Sequence, residues 1–130
     1  MLEPKTLAEL FAKLSTPHAG QELVRKARRQ APVRDVQSRG GNVVTIFQSH
    51  KMGTEIRTES RHIEFPGAIN HEFDPKVIEF YAQPCTLNLT FFDSATNKTK
   101  STVHTPDFLV LRETGITLEE WKSETKLTRL

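Results

Sequence analysis

His104-Thr105-Pro106-Asp107-Phe108-Leu109-Val110-Leu111 is followed, after Thr114-Gly115, by Leu118-Glu119-Glu120-Trp121-Lys122. The stretch reads as two strands of a hairpin, an acidic residue opening the first and a Glu-x-Lys triplet closing the second. Folding about Thr114-Gly115 sets Glu113 against Ile116 and Asp107 roughly opposite Lys122. Side chains alternate along a strand, so Glu120 and Lys122 share one face while Glu119 and Trp121 point to the other, Trp121 toward a core. Cross-strand neighbours lie about 5 Å apart and diagonal ones about 7 to 8 Å. One face therefore gathers two carboxylates and an amine, a set able to hold a hard divalent cation and to place a water against a phosphate ester. The same residues also fit an ordinary cross-strand ion pair between Asp107 and Lys122 on a solvated face.

With 130 residues, of which 36% are hydrophobic, the chain is expected to form one domain with a modest core. No apolar run reaches membrane-spanning length, and Glu3, Lys5 and Glu9 interrupt any signal-peptide pattern. The single Cys85 excludes an internal disulfide and any cysteine-based zinc spacing, and it fits a reducing cytoplasm. Charge is unevenly spread. Residues 1–61 carry eleven Lys and Arg against six Asp and Glu, whereas residues 62–130 carry seven against ten. A basic half beside an acidic half suits an enzyme that grips a phosphate backbone and concentrates carboxylates around a metal. Uneven surface charge without function accounts for it equally simply.

Thr6-Leu7-Ala8-Glu9 resembles a capping box ahead of Leu7, Leu10, Phe11 and Leu14 at helical spacing, predicting a first helix that ends near Ser15. Thr16-Pro17 starts a second, running to about Gln30 and stopping before Pro32. Arg25, Lys26, Arg28 and Arg29 crowd its last turns, as a phosphate-contacting face or as a solvated helix end. Residues 1–32 thus form a basic helical segment, ahead of a main domain over 33–130. Val33–Gln37 and Val43–Gln48 predict a hairpin, and residues 49–53 a polar turn. Thr58-Glu59-Ser60 can cap a helix through Ile63, Glu64, Ile69 and Phe73, provided that Pro66 lies in its first turn or at a kink. Val77–Tyr81 then leads to a corner at Gln83-Pro84. A strand over Thr86–Phe92 carries Leu87, Leu89 and Phe91 on one face, and the next runs from Thr99 into the Asp107 segment. Ser123-Glu124-Thr125-Lys126 looks like a helix start. His62 and His71 are expected on polar faces, and His104 either exposed or as a contact behind Asp107.

The order of these segments resembles a known family. Gln48-Ser49-His50-Lys51-Met52-Gly53, Glu59-Ser60-Arg61-His62-Ile63-Glu64, Phe73-Asp74-Pro75-Lys76-Val77-Ile78 with Gln83-Pro84, Thr105-Pro106-Asp107-Phe108-Leu109-Val110 and Glu120-Trp121-Lys122 follow one another as in the N-terminal catalytic domain of TnsA. TnsA is the endonuclease subunit of heteromeric cut-and-paste transposases. The resemblance runs from about Arg39 to Lys126. It implies an α/β (α+β) fold of the restriction-endonuclease-like type, a mixed sheet flanked by helices with a small N-terminal helical annex. It implies Glu64 as a helix-borne carboxylate (Glu59 the alternative), Asp107 as central metal ligand, Glu120 near the metal and Lys122 beside the attacking water. Magnesium, replaceable by manganese, is the implied cofactor. Double-stranded DNA at transposon ends is the implied substrate, gripped by Arg25, Lys26, Arg28, Arg29 and Lys51. An integrase-type transposase and an ATPase regulator are the implied partners, in a bacterial cytoplasm and without a membrane. Family members continue well past the Glu-x-Lys strand, so a C-terminally short version of the fold is expected.

Overall fold

A computed structural model describes residues 1–30, 43–60 and 64–121. In chain order the elements are α1 (Pro4–Leu14), α2 (His18–Gln30), β1 (Val43–Ser49), β2 (Thr54–Ser60), α3 (Glu64–Phe73), β3 (Val77–Ala82), β4 (Leu87–Asp93), β5 (Lys98–His104), β6 (Phe108–Arg112) and β7 (Gly115–Glu119). The fold is α+β, and every ladder among the described residues is antiparallel. The strand expected over Val33–Gln37 and the helix start at 123–126 lie outside the described residues.

The core is built on β6, the middle strand of the sheet β3-β6-β7. Phe108, Leu109, Val110 and Leu111 are buried on both faces, and an unbroken apolar run of this kind must be covered from both sides. Alternation along β3 sends Glu79 and Tyr81 to one face and Phe80 to the other. Glu79 meets the backbone N–H of Leu2 at 2.8 Å and Arg28 at 3.4 Å, so the N-terminal helices cover that face. Phe80 lies 5.8 Å from the ring of His71, so α3 covers the opposite one. Leu7, Phe11, Val24 and Ala27 join one hydrophobic cluster with the strands. The helical segment shares the core of the main domain rather than standing apart from it.

Two helix starts differ from expectation. Pro4 opens α1 and Glu3 precedes it without a side-chain cap, which places Thr6 inside the first turn. A proline suits that position because its missing N–H would have no intrahelical partner there. Thr58-Glu59-Ser60 does not cap a helix but continues β2, paired with Thr45, Val44 and Val43. Thr54, Ile56 and Thr58 alternate with charged residues, a strand pattern that β1 completes. Pro66 falls in the first turn of α3, where it is tolerated.

The β1-β2 hairpin is latched onto α3 at its turn. Glu72 accepts hydrogen bonds from Ser49 Oγ at 2.5 Å and from the N–H groups of His50 at 2.9 Å and Lys51 at 3.2 Å. Lys51 Nζ donates to the carbonyls of His71 at 2.7 Å and Asp74 at 2.6 Å, closing the C-terminal end of α3. Burial holds the Lys51 ammonium below its ordinary pKa, with Glu72 and Asp74 opposing the shift.

Instead of running on into Asp107, β5 ends at His104. Pro106 has no N–H to give a ladder, and β6 begins afresh two residues later with β3 and β7 as neighbours. The β4-β5 hairpin stands mostly in solvent on both faces, with Phe92 62% and Val103 65% exposed.

The buried Glu79 joins the N-terminal helices to the sheet. Besides Leu2 and Arg28, it accepts a 2.5 Å hydrogen bond from Tyr81 Oη. Burial and the neighbouring carboxylate push the Tyr81 phenol far above its ordinary pKa. Removing one partner of such a buried group leaves the others unsatisfied, so Glu79→Ala is expected to cost about 3 kcal/mol in urea unfolding, and Glu79→Gln less. A loss below about 0.5 kcal/mol, the scatter of ordinary surface substitutions, would show that the network holds nothing together.

Candidate functional site

Three strand ends meet at Asp107. Its N–H donates to the Glu119 carbonyl at 3.1 Å, and its own carbonyl accepts from Gln83 N at 2.8 Å. Its carboxylate Oδ2 accepts the backbone N–H of Trp121 at 2.7 Å. Asp107 is thus tied to the end of β3 on one side and to the end of β7 on the other. Gln83 adopts a left-handed backbone, φ 44°, where the chain turns the corner into Pro84. A residue with a β-carbon is held in that conformation only by its surroundings.

The hairpin register differs from the expected one by two residues. Arg112 pairs with Gly115, Leu111 with Ile116 and Phe108 with Glu119, across a two-residue loop of Glu113 and Thr114. The ladder ends at this last pair, and its register continued by one residue would set Asp107 against Glu120 rather than Lys122. The tighter loop places Ile116 across from fully buried Leu111, covering it. A shift of two preserves which face each residue takes, so Asp107 and Glu120 remain neighbours at one end of the sheet. Lys122 lies outside the described residues.

The same sheet end receives the head of α3. A β-carbon at Gly67 would come within 2.8 Å of Phe108 Cε2 and 3.3 Å of Trp121 Cδ2, so the helix seats flush against these rings only because residue 67 is glycine. Glu64 opens α3 three residues earlier, one turn nearer its start. Glu59, by contrast, belongs to β2. The side chains of Glu59 and Glu64 lie outside the described residues. Among those described, no three His, Cys, Asp or Glu side chains are grouped to hold a metal ion. Glu120 is exposed, and its carboxylate lies 2.5 Å from His104 Nε2.

His71 is buried rather than set on a polar face. Its ring lies 5.0 Å from Phe108 and 5.6 Å from Trp121, with Nε2 2.8 Å from Glu119 Oε1. Glu119 also takes Arg112 at 3.0 Å and Trp121 Nε1 at 3.2 Å. The cluster braces the strand end that carries Glu120. Sequence reading missed it, although Glu119 and Trp121, two apart, had been assigned to the core-facing side.

The basic residues divide. Arg28 is engaged by Glu79 and by the Leu2 carbonyl at 2.6 Å, and Lys51 by the end of α3, so both take part in holding the fold. Arg25 meets Glu22 at 3.2 Å and lies over the Phe11 ring at 5.3 Å. Lys26 and Arg29 are exposed. Lys26 borders an open groove of about 610 Å³ that reaches Gln83 and Thr105, beside Asp107.

Residues 74–129 match the model of a family described as TnsA-like endonuclease N terminal. This part of the chain is similar to that family. The TnsA-like stretch contains Asp107, Glu120 and Lys122 and begins after α3, so Glu64 and the motifs at 48–53 and 59–64 precede it. It ties the chain to transposition endonucleases, as its resemblance implied. Among curated proteins none matches the chain. No helix among the described residues is long and apolar enough to cross a membrane.

Burial holds the His71 pKa below its ordinary value, although Glu119 pulls the other way. The folded state therefore favours the neutral ring. As pH falls below about 6.5 the unfolded chain takes up this proton first, and stability declines. Urea midpoints should drop between about pH 7 and pH 5, and more steeply than in His71→Phe. An equal or shallower decline in the wild type would mean that Glu119 outweighs burial.

Proposed function

We propose that the protein is a metal-dependent DNA endonuclease subunit of a heteromeric cut-and-paste transposase, hydrolysing phosphodiesters at the 5′ ends of the mobile element. The observation carrying this reading is that Asp107 and Glu120, both in the stretch similar to TnsA-like endonucleases, lie at the sheet end against which the head of α3 packs. Carboxylate oxygens are the hard donors that magnesium or manganese takes. Asp107 and Glu120 would hold the ion, with Glu64 from α3 as third ligand. The ion supplies charge stabilisation at the phosphate and a more acidic bound water.

The chain's own groups do the rest. The Asp107 carboxylate holds the Trp121 N–H and so fixes the backbone between Glu120 and Lys122. Lys122 would orient the attacking water or stabilise the charged transition state. Glu119, anchored by His71 and Arg112, keeps β7 from shifting along β6. The exposed cations Lys26 and Arg29 give sequence-tolerant attraction to duplex DNA, and target choice falls to an integrase-type transposase and an ATPase regulator in a bacterial cytoplasm.

A second reading rests on the hydrogen bonds themselves. Asp107 and Glu120 both already have partners, Trp121 N–H and His104. A DNA-binding assembly module that keeps the nuclease fold would use these carboxylates in this purely structural way.

Two measurements separate the readings. Asn at position 107 keeps an oxygen for the Trp121 N–H but loses the charge, so Asp107→Asn should stay folded while losing the calorimetric heat of magnesium or manganese binding. Lys122→Ala should retain that heat yet slow 5′-end cleavage by at least about 100-fold, in a reaction containing the transposase partner and element-end DNA. Unchanged heat in Asp107→Asn together with normal cleavage by Lys122→Ala would leave the assembly module standing.

A further inference from the structure

We propose that the groove between α2 and the β3–β4 link seats the sugar-phosphate backbone of duplex DNA and leads it to Asp107. This inference rests on the endonuclease reading. The groove encloses about 610 Å³, within the roughly 300–1,000 Å³ common for ligand sites. Lys26 and Gln30 form one wall, residues 83–86 the other, and Thr105 closes the end.

The lining has the chemistry of a phosphate contact. Among the described residues it contains one cation, two amides and two hydroxyls, and no carboxylate. Phosphate oxygens only accept hydrogen bonds, and lysine, amide and hydroxyl groups all donate. None of the described lining residues is aromatic, so they offer no ring for an unstacked base, which favours the backbone over an extruded or single-stranded base. Position completes the argument. Thr105 stands two residues before Asp107, and Gln83 donates its N–H to the Asp107 carbonyl at 2.8 Å. A strand lying in the groove therefore arrives beside Asp107.

Cys85, the sole cysteine of the chain and half-buried in this wall, reports on occupancy. Its alkylation rate by a maleimide is measured with and without duplex DNA of arbitrary sequence, while fluorescence anisotropy follows binding of the same duplex. Bound DNA should slow alkylation several-fold. Lys26→Glu should restore the free rate and lower the slope of log affinity against log salt by about one unit. Thr105→Glu, at an exposed site on the end wall, should also abolish protection, whereas Lys5→Glu on α1 makes the same charge change as Lys26→Glu outside the groove and should keep protection. Duplex binding with Cys85 alkylated at the free rate would overturn the groove assignment and leave the endonuclease reading intact. Failure to bind duplex DNA even at low salt would overturn both.

Discussion

Four consecutive side chains of β6 are shut off from water on both faces of a sheet that is three strands wide among the described residues. Each such burial contributes about 1.5 to 3 kcal/mol, provided that something apolar lies above and below. This requirement brings α3 to one face and the N-terminal helices to the other. It also makes β6 the least movable strand, and Asp107 is the residue immediately before it. The position of the candidate catalytic carboxylate is thus a by-product of the core.

Carboxylates recur where the chain leaves regular structure. Glu79 takes the N–H of Leu2, Glu72 those of His50 and Lys51, and Asp107 that of Trp121. Each serves a backbone donor that no ladder or helix satisfies. Part of the charge asymmetry between the two halves of the chain has the same origin. Arg28 of the basic half meets Glu79 of the acidic half, and Lys51 lies against the end of α3 beside Glu72 and Asp74. These charges meet across the interior, so the excess of positive charge near the N-terminus overstates what is presented to DNA.

Much of this was legible in local pattern. The apolar run Phe108–Leu111, the Thr114-Gly115 turn and the Glu120-x-Lys122 spacing showed a hairpin with Asp107 and Glu120 near its open end. Register was not, because Gly115 looks like a turn residue yet has an ordinary strand backbone, and the loop falls on Glu113 and Thr114. The error of two residues left every face unchanged. Arg28 was misjudged although the sign was present: it follows Val24 by four residues and so lies on the buried stripe of α2. Glu79 carried a similar sign, a carboxylate amid apolar residues with a tyrosine two positions on. Lys51 carried none, since nothing near it in the chain shows that its ammonium will cap a helix ending at Phe73. The roles proposed for Glu64 and Lys122 rest on the resemblance, and the side chains of both lie outside the described residues.

The exposed β4-β5 ribbon differs in kind from the layers beneath it. A lone pair of strands is marginal in water, and this one is held mainly by its own ladder. Its opening free energy is therefore uncoupled from that of the sheet. Backbone amides from Leu87 to His104 exchange with solvent deuterium through local fraying, while those of β6 exchange only when the whole molecule unfolds. A ribbon of this kind is expected to open before the sheet does, and it ends at His104, the residue in contact with Glu120.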